Sequence, residues 1–195
     1  MQTTTAHIGA ESFDEWIARP ENAGHTFELI GGEIVEKMVS RPLQSRIGGL
    51  ILTAFNNYIA QNDIGRAYGA DGGFFVGEDR YIPDASFISY ARMPEESSDP
   101  YQFAAPDLAV EVVSPGDRDK DIVPKVVTYL AAGTAVWLVF PEAQEVQVFV
   151  AGQPVRKLGI NDTLTGGDIL PGFTLPLTTL FKQSSPPKPA SEAQG

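Results

Sequence analysis

The chain has 195 residues, 43% of them apolar and 20% charged, which is the composition of one globular domain with a substantial core. It has no cysteine, which excludes disulfide bonds and thiolate metal sites, and its two histidines, His7 and His25, are too few for an ordinary zinc site. The net charge of −11, from 25 acidic and 14 basic residues, argues against tight non-specific binding to nucleic acid, because phosphate contacts need basic side chains.

The two ends of the chain differ in composition from the middle. We expect residues 1–11 to be a flexible N-terminus, residues 12–182 to form a single domain, and the Ser/Pro/Ala-rich residues 183–195 to be a disordered tail. The start lacks a basic stretch followed by an apolar one, and no apolar run reaches the roughly 20 residues that cross a bilayer. The sequence therefore predicts a cytoplasmic protein without a membrane segment.

The N-terminal third predicts two helices and a hairpin. Ser12 to Ala18 has Ser12 followed three residues later by Glu15, a capping-box start for a short helix. Phe27 to Val35 consists of two alternating runs separated by a Gly-Gly pair, which predicts a β-hairpin. From Leu43 to Ala60 apolar residues recur three and four positions apart, which predicts the longest helix of the chain.

The rest of the chain alternates strands with one further helix. Leu108 to Val113 is an apolar run typical of a central strand, and Asp121 to Ala132 predicts a helix with Pro124 in its first turn and Gly133 at its end. One mixed sheet flanked by helices is the simplest architecture. The other predicted segments are strands at 73–76, 80–89, 136–140 and 145–150, a loop at 93–106 and an irregular finish at 168–181.

Two acids lie in the predicted strands. Glu111 interrupts the apolar run from Leu108 to Val113, and a buried, unpaired carboxylate there would cost several kcal/mol, so it needs a cation. Asp84 follows Pro83, which places it at a strand start or edge. If the two strands are adjacent, the carboxylates form a hard-oxygen site of the kind that Mg²⁺ or Mn²⁺ takes. The alternative for Glu111 is a structural ion pair, and for Pro83-Asp84 an ordinary turn.

Basic and acidic side chains elsewhere can complete such a site. Lys125 is predicted near the start of the helix that follows the Glu111 strand, where it could reach a phosphate or orient a water. A solvated lysine is the alternative, with Lys120 and Arg118 as other candidate cations. Glu28, in the hairpin, is a fourth candidate that would either assist the metal site or lie on an exposed strand.

Several stretches recur in the order and spacing of one known family and span most of the chain, from about Phe13 to Phe181. They are Phe27 to Glu33, Pro83-Asp84, Pro106 to Pro115, Lys125 to Tyr129, Gly133, Trp137-Leu138-Val139 and Leu170 to Phe173. By these motifs the chain resembles the bacterial Uma-type restriction endonuclease family, within the PD-(D/E)XK nuclease superfamily. The resemblance implies an α/β restriction-endonuclease-like core, a central mixed β-sheet flanked by helices, with an additional N-terminal hairpin.

The resemblance also implies residue roles. It makes Asp84 and Glu111 the metal ligands and Glu28 an accessory acid. Lys125 stands in for a lysine that the superfamily usually carries two residues after the second acid, where this chain has Val113. The carbonyl of Val112 is expected to complete the ligand set for Mg²⁺ or Mn²⁺.

Two positions depart from the family pattern, and the function has an alternative. Phe140 stands where an aspartate is common, and Gln44 where a histidine is often seen, so either change could alter activity or specificity. The sequence predicts a metal-dependent endonuclease that hydrolyses phosphodiester bonds of nucleic acid, with DNA as the expected substrate; a homodimer is left open. The alternative is a catalytically silent module of the same fold, in which the carboxylates are structural.

Overall fold

The computed structural model describes residues 10–117 and 119–182, which form four α-helices and thirteen strands. The helices are α1 (Ala10–Ile17), α2 (Pro42–Asn62), α3 (Asp119–Ala131) and α4 (Thr178–Phe181), with a 3-10 turn at Pro20–Asn22. The strands are β1 (Phe27–Ile30), β2 (Glu33–Glu36), β3 (Gly65–Gly69), β4 (Gly73–Val76), β5 (Asp79–Tyr81), β6 (Ala85–Ser89), β7 (Tyr101–Gln102), β8 (Leu108–Val112), β9 (Ala135–Phe140), β10 (Glu145–Phe149), β11 (Arg156–Gly159), β12 (Thr163–Gly166) and β13 (Leu170–Pro176).

The largest sheet has six strands in the order β11-β10-β9-β8-β6-β3. Only β8 and β9 run parallel, joined by α3 as the crossover that a parallel pair requires, while the other pairs are antiparallel. This is the predicted central mixed sheet, and β8 lies inside it. The predicted mixed α/β class is confirmed.

The expectation of one sheet was incomplete. The N-terminal hairpin belongs to a second, five-stranded sheet in the order β2-β1-β5-β4-β7, and β12 and β13 pair separately. The long predicted run from Arg80 to Ser89 supplies both large sheets, because it breaks at Ile82-Pro83-Asp84: β5 precedes the break and β6 follows it. The break brings the second sheet to the edge of the first.

Each face of the six-stranded sheet has its own covering layer. Ile47, Ile51 and Phe55 of α2 are fully buried on one face, as their spacing predicts, and the chain from β13 to α4 joins them. Val126 and Tyr129 of α3 cover the other face, together with β4 and β5. Strand alternation places Leu108, Val110 and Val112 on the α2 face, so Glu111 points towards α3 and the second sheet.

Two predicted helix starts were wrong. The described part of α1 already includes Ala10 and Glu11, so Ser12 lies within the helix and is not its N-cap. The described part of α3 extends from Asp119, so Pro124 and Lys125 lie beyond the first turn. Gly133 does end α3, with a φ of 74° that favours glycine.

Five strands were missed: β3, β7, β11, β12 and β13. The expectations for residues 1–9 and 183–195 lie outside the described residues, and the domain boundaries at 12 and 182 stay predictions. Within the described ranges, no helix is long and apolar enough to cross a membrane.

Candidate active site

Four separate stretches of the chain meet at one point between the two large sheets. Glu28 comes from β1, Asp84 directly precedes β6, Glu111 lies in β8, and Lys125 projects from α3. The Nζ atom of Lys125 is 2.9 Å from Oε1 of Glu28 and 3.1 Å from Oε1 of Glu111. The lysine predicted from the sequence therefore lies between two of the three predicted acids, although it lies beyond the first turn of the helix.

Asp84 is fixed against the Glu111 strand by both its backbone and its side chain. Ala85 lies opposite Val110, so Asp84 and Glu111, just beyond this pair, are neighbours across the two strands. Oδ2 of Asp84 accepts a hydrogen bond from the Val112 amide at 2.7 Å. The second carboxylate oxygen faces away from this bond and towards another cation.

Helix α2 approaches Asp84 through a glycine. A Cβ atom at Gly48 would lie 3.3 Å from the carbonyl oxygen of Asp84 and 3.6 Å from its Cβ. The first of these contacts is tighter than ordinary packing, so the small residue allows the helix to lie directly behind the acid. Gly48, and not the neighbouring Gly49, is thus part of the support of the site.

Glu28 joins the second sheet to the site. Its side chain is almost fully buried, and Oε1 accepts a hydrogen bond from the Ile82 amide at 2.7 Å in addition to the contact with Lys125. Ile82 lies at the break between β5 and β6. The alternative of an exposed strand residue is therefore wrong for Glu28.

Lys37, which the sequence analysis did not select, is a second cation of the site. It follows β2 directly, its Nζ atom lies 3.6 Å from Oδ1 of Asp84, and the same ammonium contacts the Ile82 carbonyl. A lysine at the end of a short strand is usually solvated, which is why it was missed. Its position on the hairpin that carries Glu28 was the one available signal.

Two tyrosines complete the wall beneath Lys125. The Tyr129 hydroxyl donates to Oε1 of Glu111 at 3.1 Å, and the Tyr81 ring lies 5.2 Å from Nζ of Lys125 in a cation–π contact. The Tyr81 hydroxyl in turn donates to Asp79 at 2.6 Å. Burial, with Glu111 as the next cause, raises the pKa of Tyr129 well above its usual range, so it remains a neutral donor.

The electrostatics follow from one ammonium shared between two acids. Burial raises the pKa of Glu111; Lys125 opposes this rise, and Glu28 and Asp84 add to it. Burial alone would lower the pKa of Lys125, but the two acids Glu111 and Glu28 outweigh it and raise the pKa above its ordinary value. Lys125 is therefore firmly protonated, while Glu111 is the acid of the set that resists ionisation.

The candidate ligands are oxygen atoms, the type that Mg²⁺ takes in proteins. Among residues 10–117 and 119–182, no group of three or more histidine, cysteine or acidic residues could hold a metal. Mg²⁺ commonly binds only one or two carboxylates and keeps several waters, so two carboxylates such as those of Asp84 and Glu111 would be enough in number. The Val112 amide donates to Asp84, so it faces this acid. In an extended strand the N–H and C=O groups of one residue face the same side, so the Val112 carbonyl also faces Asp84.

Of the other candidate residues, Gln44 lies near the site. The Gln44 amide donates to the Val113 carbonyl at 3.4 Å, while Oε1 of Gln44 is buried without a partner among the described residues. This places the family-variable Gln44 against the end of the Glu111 strand. Arg118 lies outside the described residues.

Comparison with known proteins places the chain in a family. It matches the model of the Uma2 family, described as "Putative restriction endonuclease", over residues 10–178. Because this match spans most of the chain, the protein belongs to that family, and the resemblance drawn from its motifs is confirmed. No protein of curated function matches the chain.

A solved structure shares the fold. It is described as a "putative nuclease belonging to DUF820 from Anabaena variabilis" and was determined at 1.96 Å resolution. The two chains are 22% identical, the match covers 89% of this chain and 97% of that one, and the TM-score is 0.77. At this identity the similarity shows the fold alone.

Proposed function

We propose that the protein is a divalent-metal-dependent endonuclease that hydrolyses phosphodiester bonds of nucleic acid, with DNA as the expected substrate. The observation that carries the proposal is the convergence of Glu28, Asp84, Glu111 and Lys125 from four separate elements. Membership of the family described as "Putative restriction endonuclease" supports it.

Each side chain has a role in this proposal. Asp84, Glu111 and the Val112 carbonyl would hold Mg²⁺ or Mn²⁺. When bound, the ion supplies Lewis-acid polarisation of the phosphate and lowers the pKa of a bound water. Lys125 presents a fixed positive charge to the phosphate or orients the attacking water. Glu28 holds the Lys125 ammonium in position and is itself held by the hydrogen bond that it accepts from the Ile82 amide.

Incubation of the pure protein with single- and double-stranded DNA and RNA tests the proposal. Cleavage is expected with Mn²⁺ or Mg²⁺ and not with chelator, and Glu111→Ala should abolish it. Glu145→Ala is the matched control, because Glu145 also pairs with a lysine in the same sheet, two strands from β8. A wild-type protein that cleaves none of these substrates with either ion would contradict the proposal.

One observation favours the silent binding module instead. Lys125 pairs with both Glu28 and Glu111, which is the arrangement expected of a structural ion cluster. A Mn²⁺ titration separates the two functions: an active site should bind the ion with 1:1 stoichiometry and lose most of its affinity in Glu111→Gln. Equal binding by the wild-type protein and this variant would favour the structural module. A homodimer stays a prediction.

A further inference from the structure

We propose that Lys37 exchanges partners during the reaction: its ammonium neutralises Asp84 in the metal-free protein, and it binds a phosphate of the nucleic acid once a divalent cation occupies Asp84. This inference rests on the proposed function. It assigns a second phosphate-binding residue in addition to Lys125.

The backbone of Lys37 is fixed by the hairpin, whereas its side chain is held by one carbonyl and one long ion pair. The Lys37 amide donates to the Thr26 carbonyl at 2.8 Å and so extends the ladder of the β1–β2 hairpin. The ammonium is held by the Ile82 carbonyl and by a single carboxylate oxygen at 3.6 Å, longer than a hydrogen bond. This ion pair is weaker than the two contacts of Lys125 at 2.9 and 3.1 Å, so Lys37 is the cation that a competing ion would displace.

Lys37 also stands at the open side of the site. Its side chain is 17% exposed, and the next two residues, Met38 and Val39, are 68% and 96% exposed. A displaced ammonium therefore moves towards solvent, where a substrate strand must approach. The Lys125 side chain is similarly exposed, at 13%, but it is packed over Tyr81 and held by two acids, so what separates the two lysines is the number of their partners.

The summed charge of the site explains why the exchange would favour substrate binding. Burial raises the pKa of Glu111, but a metal ion binds ionised carboxylates, so the metal-loaded site is counted with Glu28, Asp84 and Glu111 all charged. Before the charge of the ion is added, these three acids and the two protonated lysines sum to one negative charge. A bound divalent cation changes this sum to one positive charge, which attracts a phosphodiester. Without Lys37 the loaded site would be neutral and would offer no net attraction, a serious deficit in a chain of net charge −11.

Two binding measurements test the exchange. In Lys37→Met, Mn²⁺ should bind about fivefold more tightly by calorimetry, because a partly exposed ion pair no longer competes for Asp84. With Ca²⁺ to limit cleavage, the affinity for labelled DNA or RNA should fall, and the slope of log affinity against log salt should decrease by about one. Lys37→Arg should retain the wild-type slope.

Lys157→Met is the matched control, because Lys157 also pairs with one carboxylate but lies on β11, at the far edge of the six-stranded sheet. It should alter neither the Mn²⁺ affinity nor the salt slope. If Lys37→Met does not fold, Lys37→Gln serves in its place. A neutral Lys37 variant with the wild-type Mn²⁺ affinity, or with the wild-type salt slope, would overturn the exchange while leaving the nuclease proposal standing. A wild-type protein that binds no nucleic acid would overturn both.

Discussion

Neutralising Glu111 and removing its partner Lys125 should have opposite effects on stability. Glu111→Gln keeps the size of the side chain and can still accept hydrogen bonds from Tyr129 and Lys125, but it carries no charge. Lys125→Met removes the ammonium that both Glu28 and Glu111 contact. We expect the first variant to be as stable as the wild-type protein or more stable, and the second to be strongly destabilised.

The magnitudes follow from the raised pKa of Glu111. The folded protein holds a proton on this acid more tightly than the unfolded chain does, so the free energy of unfolding falls as pH rises from the ordinary value of 4.5 to the raised pKa. Each pKa unit by which the folded value exceeds the unfolded value lowers the free energy of unfolding by about 1.4 kcal/mol. Glutamine does not ionise, so Glu111→Gln removes this loss of stability. Leaving Glu28 and Glu111 without their shared cation costs about 3 to 5 kcal/mol. For a domain of this size that is roughly 6 to 20 °C in Tm.

Thermal melts between pH 4.5 and 8 in chelator test this asymmetry. As pH rises, the Tm of the wild-type protein should include a decrease caused by ionisation of Glu111. The Tm of Glu111→Gln should lack this decrease. Lys125→Met should melt well below the wild-type protein at pH 7, and both variants should lack nuclease activity. If Glu111→Gln instead melts more than about 6 °C below the wild-type protein at pH 7, Glu111 is half of a structural ion pair, and the reasoning from its raised pKa is refuted.

Three further predictions concern other parts of the chain. Truncation after Lys182 should leave Tm unchanged in calorimetry, because the Ser/Pro/Ala-rich residues beyond it cannot bury a core; a large fall would contradict this. Gly48→Ala should reduce kcat by about tenfold or more, because the new methyl group presses on the Asp84 carbonyl. Unchanged kcat at wild-type Tm would disprove that contact. Tyr129→Phe should cost about 1 kcal/mol in urea unfolding, for the loss of one hydrogen bond to Glu111, and a neutral result would show that this bond has no net value.

The parts of the fold with strong local periodicity could be predicted from the sequence. The hairpin, α2, β8, β9 and β10 each have an apolar pattern or a Gly-Gly turn that requires no knowledge of distant residues. Strand β3, with the sequence Gly-Arg-Ala-Tyr-Gly, has no such alternation and becomes a strand only because it pairs with β6. The separate five-stranded sheet likewise depends on where one extended run breaks, at Pro83.

The residues of the candidate site also fall into two groups, those with a local sequence signal and those without one. Glu111 attracts attention because an acid in an apolar run requires a partner. Lys37 and Tyr129 carry no such local signal: a lysine after a short strand looks solvated, and a tyrosine on the inner face of a helix looks like core. Their contacts with Asp84 and Glu111 exist only once distant strands have assembled.

The position of the site between two sheets has a consequence for protein synthesis. A ribosome that has made all three acids has not yet made α3, so a growing chain lacks the Lys125 ammonium. Helix α2, which supports Asp84, packs against Phe173 and Leu180 near the end of the described chain, so its support arrives later still. Because long-range contacts such as these form late in folding, a nascent chain that ends before α3 has the three acids but not the assembled candidate site. The order of the elements therefore delays assembly of the site until α3 and the segment from β13 to α4 have been made.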